Sequence, residues 1–112
     1  MLHKPTVVRQ GSDFIFKITA DTSLTTYTNV LCVVYRNDDS TVLAKLSRTT
    51  KSGYTVAITA DQVDNKSVFV KIAKTTTAAA KIADYDIEVC FEGTNTIKFA
   101  VERFMIIEKS LT

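Results

Sequence analysis

The feature that most constrains this sequence is the alternation of apolar and polar residues along most of the chain. Clear runs of this kind span residues 13–19, 41–46, 54–59, 67–72 and 84–92. A repeat of two residues places alternate side chains on opposite faces of a β-strand, and the lengths of these runs are typical of strands. The sequence therefore predicts a protein built mainly of strands that each bury one face.

Two segments depart from this alternation. Val30–Tyr35 is apolar in both phases, which favours a central strand covered on both sides. The segment Ile97–Glu108 is apolar in one phase up to Val101 and in the other phase at Phe104 and Ile106. This change of phase indicates either a β-bulge inside one sandwich or a second apolar face on which Phe104 and Ile106 contact another copy of the chain.

The segments between the runs carry turn signals, and each of the 3 glycines falls in one of them. The capping-box spacing of Thr59-Ala60-Asp61-Gln62 predicts one helical turn that ends near Asn65. The Thr/Ala tract over residues 75–81 is expected to be a loop or a short crossover, because threonine weakens a helix.

The length of 112 residues fits one core, so we expect a single domain over residues 1–112. Seven or eight short strands with short connections predict an all-β fold, an antiparallel β-sandwich. A small barrel is the alternative architecture.

Charge and hydropathy argue against two classes of partner. Lys and Arg number 14 against 12 Asp and Glu, and the two signs are interspersed, whereas binding to nucleic acid needs a concentrated basic surface. No apolar run approaches the roughly 18 residues of a membrane span, and Met1–Thr6 lacks the apolar run of a secretory signal. We therefore expect no nucleic-acid partner, no membrane contact and no export by the general secretory route.

The residues that most enzymes need are scarce. The single histidine, His3, lies beside the N-terminus, where no second group can fix it as a catalytic base. The isolated glycines form no phosphate-binding loop, and two cysteines with one histidine cannot complete a zinc site from nitrogen and sulfur ligands. We expect no enzymatic activity, no catalytic residue, no metal and no cofactor.

The two cysteines are spaced as in the inter-sheet disulfide of an immunoglobulin domain. However, the chain has no tryptophan to pack on such a bridge, and Glu88 stands two residues before Cys90, where that domain carries its corner tyrosine. Cys90 also falls in the polar phase of its run. The sequence therefore predicts that Cys32 and Cys90 are free thiols.

The acidic residues Asp84, Asp86 and Glu88 share one strand face. A calcium site needs six or more converging oxygens, which a straight row does not provide. We expect these carboxylates to pair across strands with Lys71 or Lys98.

Most aromatic residues fall in the buried phase of their runs, but Phe69 shares the polar phase with Ser67 and Lys71. Phe69, Phe104 and Ile106 are therefore the candidate residues for a protein interface. An exposed sheet edge would add main-chain pairing to such a contact.

The order of short motifs resembles the immunoglobulin-like β domain of tailed-phage virion proteins, and most closely the N-terminal domain of phage baseplate upper proteins. The motifs that carry the resemblance are Val8–Phe14, Tyr27–Val30, Thr59–Gln62, Tyr85–Val89 and Ile106–Lys109. The sequence departs from that family at Ala83–Tyr85, where a glycine is usual shortly before the tyrosine, and it lacks the family's long C-terminal extension.

The resemblance implies an immunoglobulin-like sandwich that is a structural or assembly protein of a virion, in a tail, baseplate, neck or capsid-associated position. It also implies a homo-oligomer or a complex with other virion proteins, assembled in the cytoplasm of the host. A different class of function remains open from the residues alone, namely a β-sandwich module that binds carbohydrate or a cell surface.

Overall fold

The computed structural model describes residues 6–20, 23–24, 27–61, 63, 65–93 and 96–109. Within these residues there are nine strands and one helix. The strands are β1 (Thr6–Arg9), β2 (Phe14–Thr19), β3 (Tyr27–Arg36), β4 (Val42–Ser47), β5 (Thr55–Val56), β6 (Ile58–Ala60), β7 (Ser67–Ile72), β8 (Ala83–Gly93) and β9 (Ile97–Ile107). The helix α1 spans Lys74–Ala79, between β7 and β8.

The strands form two sheets. The larger has the order β1-β9-β8-β3-β4-β5 and the smaller the order β2-β7-β6. Most neighbours are antiparallel, but β1 runs parallel to β9, and β4 runs parallel to β5. The larger sheet is therefore mixed, which corrects the prediction of a purely antiparallel sandwich. Two parallel strands need a connection that leads from the end of the first strand back towards the side where it began. Residues 48–54 form this connection between β4 and β5.

The alternation in the sequence predicted the buried phase of the main strands correctly. The buried residues include Val68, Val70 and Ile72 of β7 and Tyr85, Ile87, Val89 and Phe91 of β8. They form one cluster with residues of β2, β3 and β9 between the two sheets. β3 lies between β8 and β4, and Leu31 is buried on its outward phase as well, but Val33 and Tyr35 are only partly buried, so the prediction of a strand covered on both sides is confirmed only at Leu31.

The change of phase in the last strand is a β-bulge, as one of the two alternatives predicted. Ile87 lies opposite Glu102, whereas the next residue, Glu88, lies opposite Ala100, so Val101 is an extra residue in β9. One extra residue moves every later side chain to the other face of the sheet.

The bulge turns Phe104 and Ile106 towards the core, where they are 1% and 0% exposed. The ring of Phe104 lies 4.9 Å from that of Phe14 and 5.7 Å from that of Tyr85. Phe104 and Ile106 are therefore core residues. This corrects the alternative that placed them on an exposed apolar face.

The alternating run over residues 54–59 predicts one strand, but the structure divides it between the sheets. The Ala57 N–H donates to the Ser47 carbonyl of the larger sheet, and the Ala57 carbonyl accepts from the Lys71 N–H of the smaller sheet, both at 3.0 Å. The chain thus passes from one sheet to the other at Ala57. As a result Val56 is exposed and Ile58 is buried.

The helix α1 occupies the tract that predicted a loop or short crossover. No side chain of its own caps the first turn; instead, a carboxylate oxygen of Asp13 accepts the Lys74 N–H at 2.7 Å. The buried Thr77 hydroxyl accepts the Gly11 N–H at 3.1 Å and donates to the Ser12 carbonyl at 2.7 Å. Hydrogen bonds to the turn before β2 therefore supply the stability that a threonine-rich helix lacks.

The predicted helical turn at Thr59 is wrong at its first residues, because Thr59 and Ala60 belong to β6. After β6 an Asp61 carboxylate oxygen accepts the Val63 N–H at 2.9 Å. Gln62, the second half of the predicted capping box, lies outside the described residues.

The strand order identifies the architecture. In a variable-type immunoglobulin domain, strands B, E and D belong to one sheet and G, F, C, C′ and C″ to the other. Here β2, β7 and β6 correspond to B, E and D. The strands β9, β8, β3, β4 and β5 correspond to G, F, C, C′ and C″. Tyr85, near the start of β8, donates its hydroxyl proton to the Lys81 carbonyl at 2.8 Å, which is the tyrosine corner of such domains. The fold is immunoglobulin-like.

The tyrosine corner also explains why Cys32 and Cys90 do not form the disulfide of an immunoglobulin domain. In an immunoglobulin domain the second cysteine of the disulfide follows the corner tyrosine by two residues, and here that residue is Ile87, fully buried in the core. Glu88 is therefore not the counterpart of the corner tyrosine, as its distance from Cys90 suggested. Tyr85, three residues earlier, holds that place. Apolar packing takes the place of the bridge.

Candidate contact surfaces

The outer face of the smaller sheet carries two exposed apolar residues at diagonal positions of neighbouring strands. Ile15 of β2 is 58% exposed and Phe69 of β7 is 37% exposed. Lys17, directly opposite Phe69, holds its ammonium 5.9 Å from the centre of the Phe69 ring and 3.5 Å from a carboxylate oxygen of Asp61. Phe69 was predicted at an interface, and the structure places it on this accessible face.

The strand β2 is also the edge of the smaller sheet, since β7 is its only strand partner among the described residues. The Ala20 N–H donates to the Lys66 carbonyl, which fixes the phase of the β2–β7 ladder. In an antiparallel ladder the hydrogen-bonded pairs alternate, so the N–H and C=O groups of Ile15, Lys17 and Thr19 are directed away from β7. This open edge and the face with Ile15 and Phe69 form one continuous surface, here called the β2 surface.

Phe104 and Ile106, the other two predicted interface residues, do not belong to the β2 surface, because both lie in the core on β9. Ile15 was not predicted. The sequence contained a signal for it, since Ile15 is an apolar residue in the polar phase of its run, as Phe69 is.

The outer face of the larger sheet is charged, and two ion pairs on it join Arg103 to Asp86 and Lys51 to Glu92. Asp86 of the acidic row accepts from the Arg103 guanidinium at 2.8 Å and from the Asn37 amide at 2.9 Å. These two bonds, that from Arg103 first, lower the pKa of Asp86 below its ordinary value. The predicted cross-strand pairing exists, but with Arg103 in place of Lys71 or Lys98, because Lys71 lies on the other sheet and Lys98 lies opposite Cys90.

Tyr54, which immediately precedes β5, is a second aromatic residue that interacts with lysines. The ammonium groups of Lys45 and Lys51 lie 5.5 Å and 5.8 Å from the centre of its ring. Lys51 also forms an ion pair with Glu92 at 3.1 Å. The Tyr54 ring is therefore held between charged groups.

Cys32 and Cys90 lie on the neighbouring strands β3 and β8 but in opposite phases. Cys90 is opposite Leu31, and Cys32 is opposite Val89. The side chain of Cys32 therefore enters the core, while that of Cys90 leaves the other face of the sheet. The prediction of free thiols is confirmed.

Burial raises the pKa of the Cys32 thiol from 9.0 to about 12. Between these pH values the unfolded chain loses the Cys32 proton and the folded chain keeps it, so stability falls as the pH rises through this window. We expect the free energy of unfolding, measured with urea, to be lower at pH 10.5 than at pH 8 by roughly 2 kcal/mol from this thiol alone.

Cys32→Val is the matched control for this pH dependence, because it fills a similar volume and has no proton to release. The difference in stability between pH 8 and pH 10.5 should shrink by roughly 2 kcal/mol in this variant. If the wild-type chain and the variant lose the same stability, the burial of the Cys32 thiol is not the cause.

Within the described residues no three side chains of His, Cys, Asp or Glu converge as metal ligands. In the same part of the chain, no helix combines the length and the apolar character that crossing a bilayer requires.

No family model and no curated protein matches this chain. Among solved structures, the V domain of amphioxus IgVJ-C2 is similar, with a TM-score of 0.40 and 13% sequence identity, over 94% of this chain and 100% of that one. The immunoglobulin-like assignment rests on the strand order and the tyrosine corner described above. The resemblance to phage virion proteins stays a prediction.

Proposed function

We propose that this protein is a structural or assembly protein that acts through protein–protein contacts, and that the β2 surface is where it binds. The observation that carries the proposal is the combination of an open strand edge with Ile15 and Phe69 on the adjoining face. An open edge offers main-chain hydrogen bonds, and neighbouring apolar side chains offer burial, which together are the elements of strand addition.

A second copy of the chain is the partner that we propose for the β2 surface. Antiparallel pairing of two β2 strands centred on Lys17 would place two ammonium groups opposite each other, which is unfavourable. A shift that sets Lys17 opposite Ile15 or Thr19 of the second copy keeps the outward N–H and C=O groups paired and separates the two charges. Lys17 thus restricts the registers in which two copies associate.

The test is the molar mass by size-exclusion chromatography with light scattering. We expect the wild-type chain to form a symmetric oligomer at high micromolar concentration and Ile15→Lys to shift it to monomer, because the new charge would be buried in the contact. Val7→Lys is the matched control: Val7 is also an exposed aliphatic residue of an edge strand, but it lies on the larger sheet.

A pair of variants at Lys17 separates edge pairing from contact through the face. Lys17→Pro removes an N–H that points away from β7 and so blocks an added strand without removing a β2–β7 hydrogen bond. Lys17→Met removes the charge and keeps the N–H. Edge pairing predicts dissociation by Lys17→Pro and not by Lys17→Met, whereas a wild-type chain that stays monomeric and joins no other protein would contradict the proposal.

The finer proposal is that the assembly is a tailed-phage virion, with the chain in its tail, baseplate, neck or capsid-associated part. It is supported by the sequence resemblance alone. Mass spectrometry of purified particles from a phage that encodes the chain tests it, and absence of the chain from complete particles would contradict it.

The contact proposal is preferred to carbohydrate binding because of the lysines over the two aromatic rings. A sugar that stacked on Phe69 would have to displace Lys17, and one that stacked on Tyr54 would have to displace Lys45 or Lys51. Displacement of these ammonium groups opposes stacking.

A further inference from the structure

A second open strand edge lies on β4, at the side of the sandwich. β5 pairs only with Leu46 and Ser47, so the part of β4 from Val42 to Lys45 has no strand partner on that side among the described residues. The Arg48 N–H donates to the Val30 carbonyl, which fixes the phase of the β3–β4 ladder and directs the N–H and C=O groups of Lys45 towards the open side. The Ser47 carbonyl, in the same phase, already accepts the Ala57 N–H there.

A groove runs along this open edge. One section, of about 290 Å³, lies between β4 and the segment from Lys71 to Thr76. A second, of about 260 Å³, continues past the end of α1. Val42 and Leu43 line both sections, and Val42 is 48% exposed. The four residues from Val42 to Lys45 span roughly 13 Å of strand, so the groove offers room for an extended segment of about that length.

The wall opposite β4 consists mostly of small side chains. Its residues include Ala57, Ala73, Thr76, Ala79 and Ala80. Because these side chains are short, the space beside β4 stays open and can accept aliphatic side chains from an added strand.

The charges around the groove are mainly positive. Lys45 and Lys71 line the first section, which has no acidic residue among its lining residues. Lys81 lines the second section, and the remaining charged pair there, Arg36 and Asp39, is linked at 3.6 Å. Neither Lys71 nor Lys81 forms an ion pair within the described part of the chain. The groove is therefore complementary to an anionic ligand.

We propose that this groove binds an extended peptide segment of another protein, with alternating aliphatic and acidic residues, which adds a strand to β4. The backbone of Lys45 pairs with the peptide, the aliphatic side chains enter the groove, and the acidic side chains, in the alternate phase, leave on the outer face that carries Lys45. Apart from Lys71, which lies opposite Ile15, the residues of this site do not belong to the β2 surface, and the site does not depend on the function proposed for that surface.

The test is an NMR titration of the ¹⁵N-labelled chain with the peptide Ac-Ser-Val-Glu-Val-Glu-Ser-NH₂. We expect the amide signals of residues 42–46 and 71–73 to shift and saturate. The peptide with Lys in place of Glu should bind at least about tenfold more weakly, because its charges repel those of the groove. A peptide N-methylated at its valines and glutamates should also bind weakly, because it cannot pair with the Lys45 backbone in either strand direction.

Thr76→Leu fills the groove from α1 and should weaken binding of the acidic peptide at least about tenfold. Leucine is a better helix former than threonine, so the variant is expected to keep α1. Thr75→Leu is the matched control, since Thr75 is exposed and does not line the groove. Reversing the charge with Lys45→Glu should transfer the preference to the Lys peptide.

Three results would overturn the proposal. The first is the absence of shifts at residues 42–46 at millimolar acidic peptide. The second is equal binding by Thr75→Leu and Thr76→Leu. The third is that the same signals shift with protein concentration in the absence of peptide, which would assign the groove to a second copy of the chain.

Discussion

Replacing Phe104 by alanine is expected to lower the free energy of unfolding by roughly 3–5 kcal/mol, measured by urea denaturation. The Phe104 ring is buried and contacts the rings of Phe14 and Tyr85, so truncation leaves a cavity between the two sheets. For a chain of this size the loss is a large fraction of the total stability. The variant should be marginally folded at 25 °C.

Met105→Ala is the control for this prediction, because Met105 is the next residue of β9 and points to the opposite face, where it is 37% exposed. We expect a loss below about 1 kcal/mol. The pair of variants therefore tests the phase that the bulge at Val101 imposes. Similar losses at the two positions, or a larger loss at Met105, would contradict the register of β9.

The phase of the main strands could be predicted from the sequence because each of those strands has one buried face. Phe16, Ile18, Val68 and Val70 are examples in which burial follows alternation directly. The same argument found Phe69, an apolar residue in the polar phase. Alternation is local, so two-residue periodicity is enough to assign these faces.

The two faces of β9 could not be predicted, because a bulge is a property of the pairing between two strands. The sequence shows only that apolar residues change phase after Val101. The partner strand β8 decides whether Phe104 and Ile106 enter the same core or form another face, and the register with Ile87 and Glu88 settles it. Two of the three predicted interface residues were misplaced for this reason.

The passage from β5 to β6 was missed for a different physical reason. At Ala57 the chain changes sheets with its backbone hydrogen-bonded to both, so no turn residue marks the position. The open part of β4 depends on this passage, since β5 leaves the larger sheet after pairing with only two residues. Edges of this kind follow from the whole topology and have no local signal.

The helix α1 was missed because its stability comes from elsewhere in the chain. Its threonines disfavour a helix, and the bonds that compensate connect it to Asp13, Ser12 and Gly11 in the turn before β2. Gly11 has a positive φ of 84°, a conformation that glycine adopts at little cost. The turn and the helix therefore support each other across a long separation in sequence.

Thr77→Val is expected to lower the free energy of unfolding by roughly 2 kcal/mol, because it keeps the shape of the side chain and removes the hydroxyl that joins α1 to this turn. The Gly11 N–H and the Ser12 carbonyl would each lose a partner, and an unpaired group close to the core costs more than the bond itself contributes. Urea denaturation measures the effect. Thr75→Val, on the exposed face of the same helix, should change stability by less than about 0.5 kcal/mol, and equal losses in the two variants would show that helix propensity, rather than the buried hydroxyl, stabilises this part of the fold.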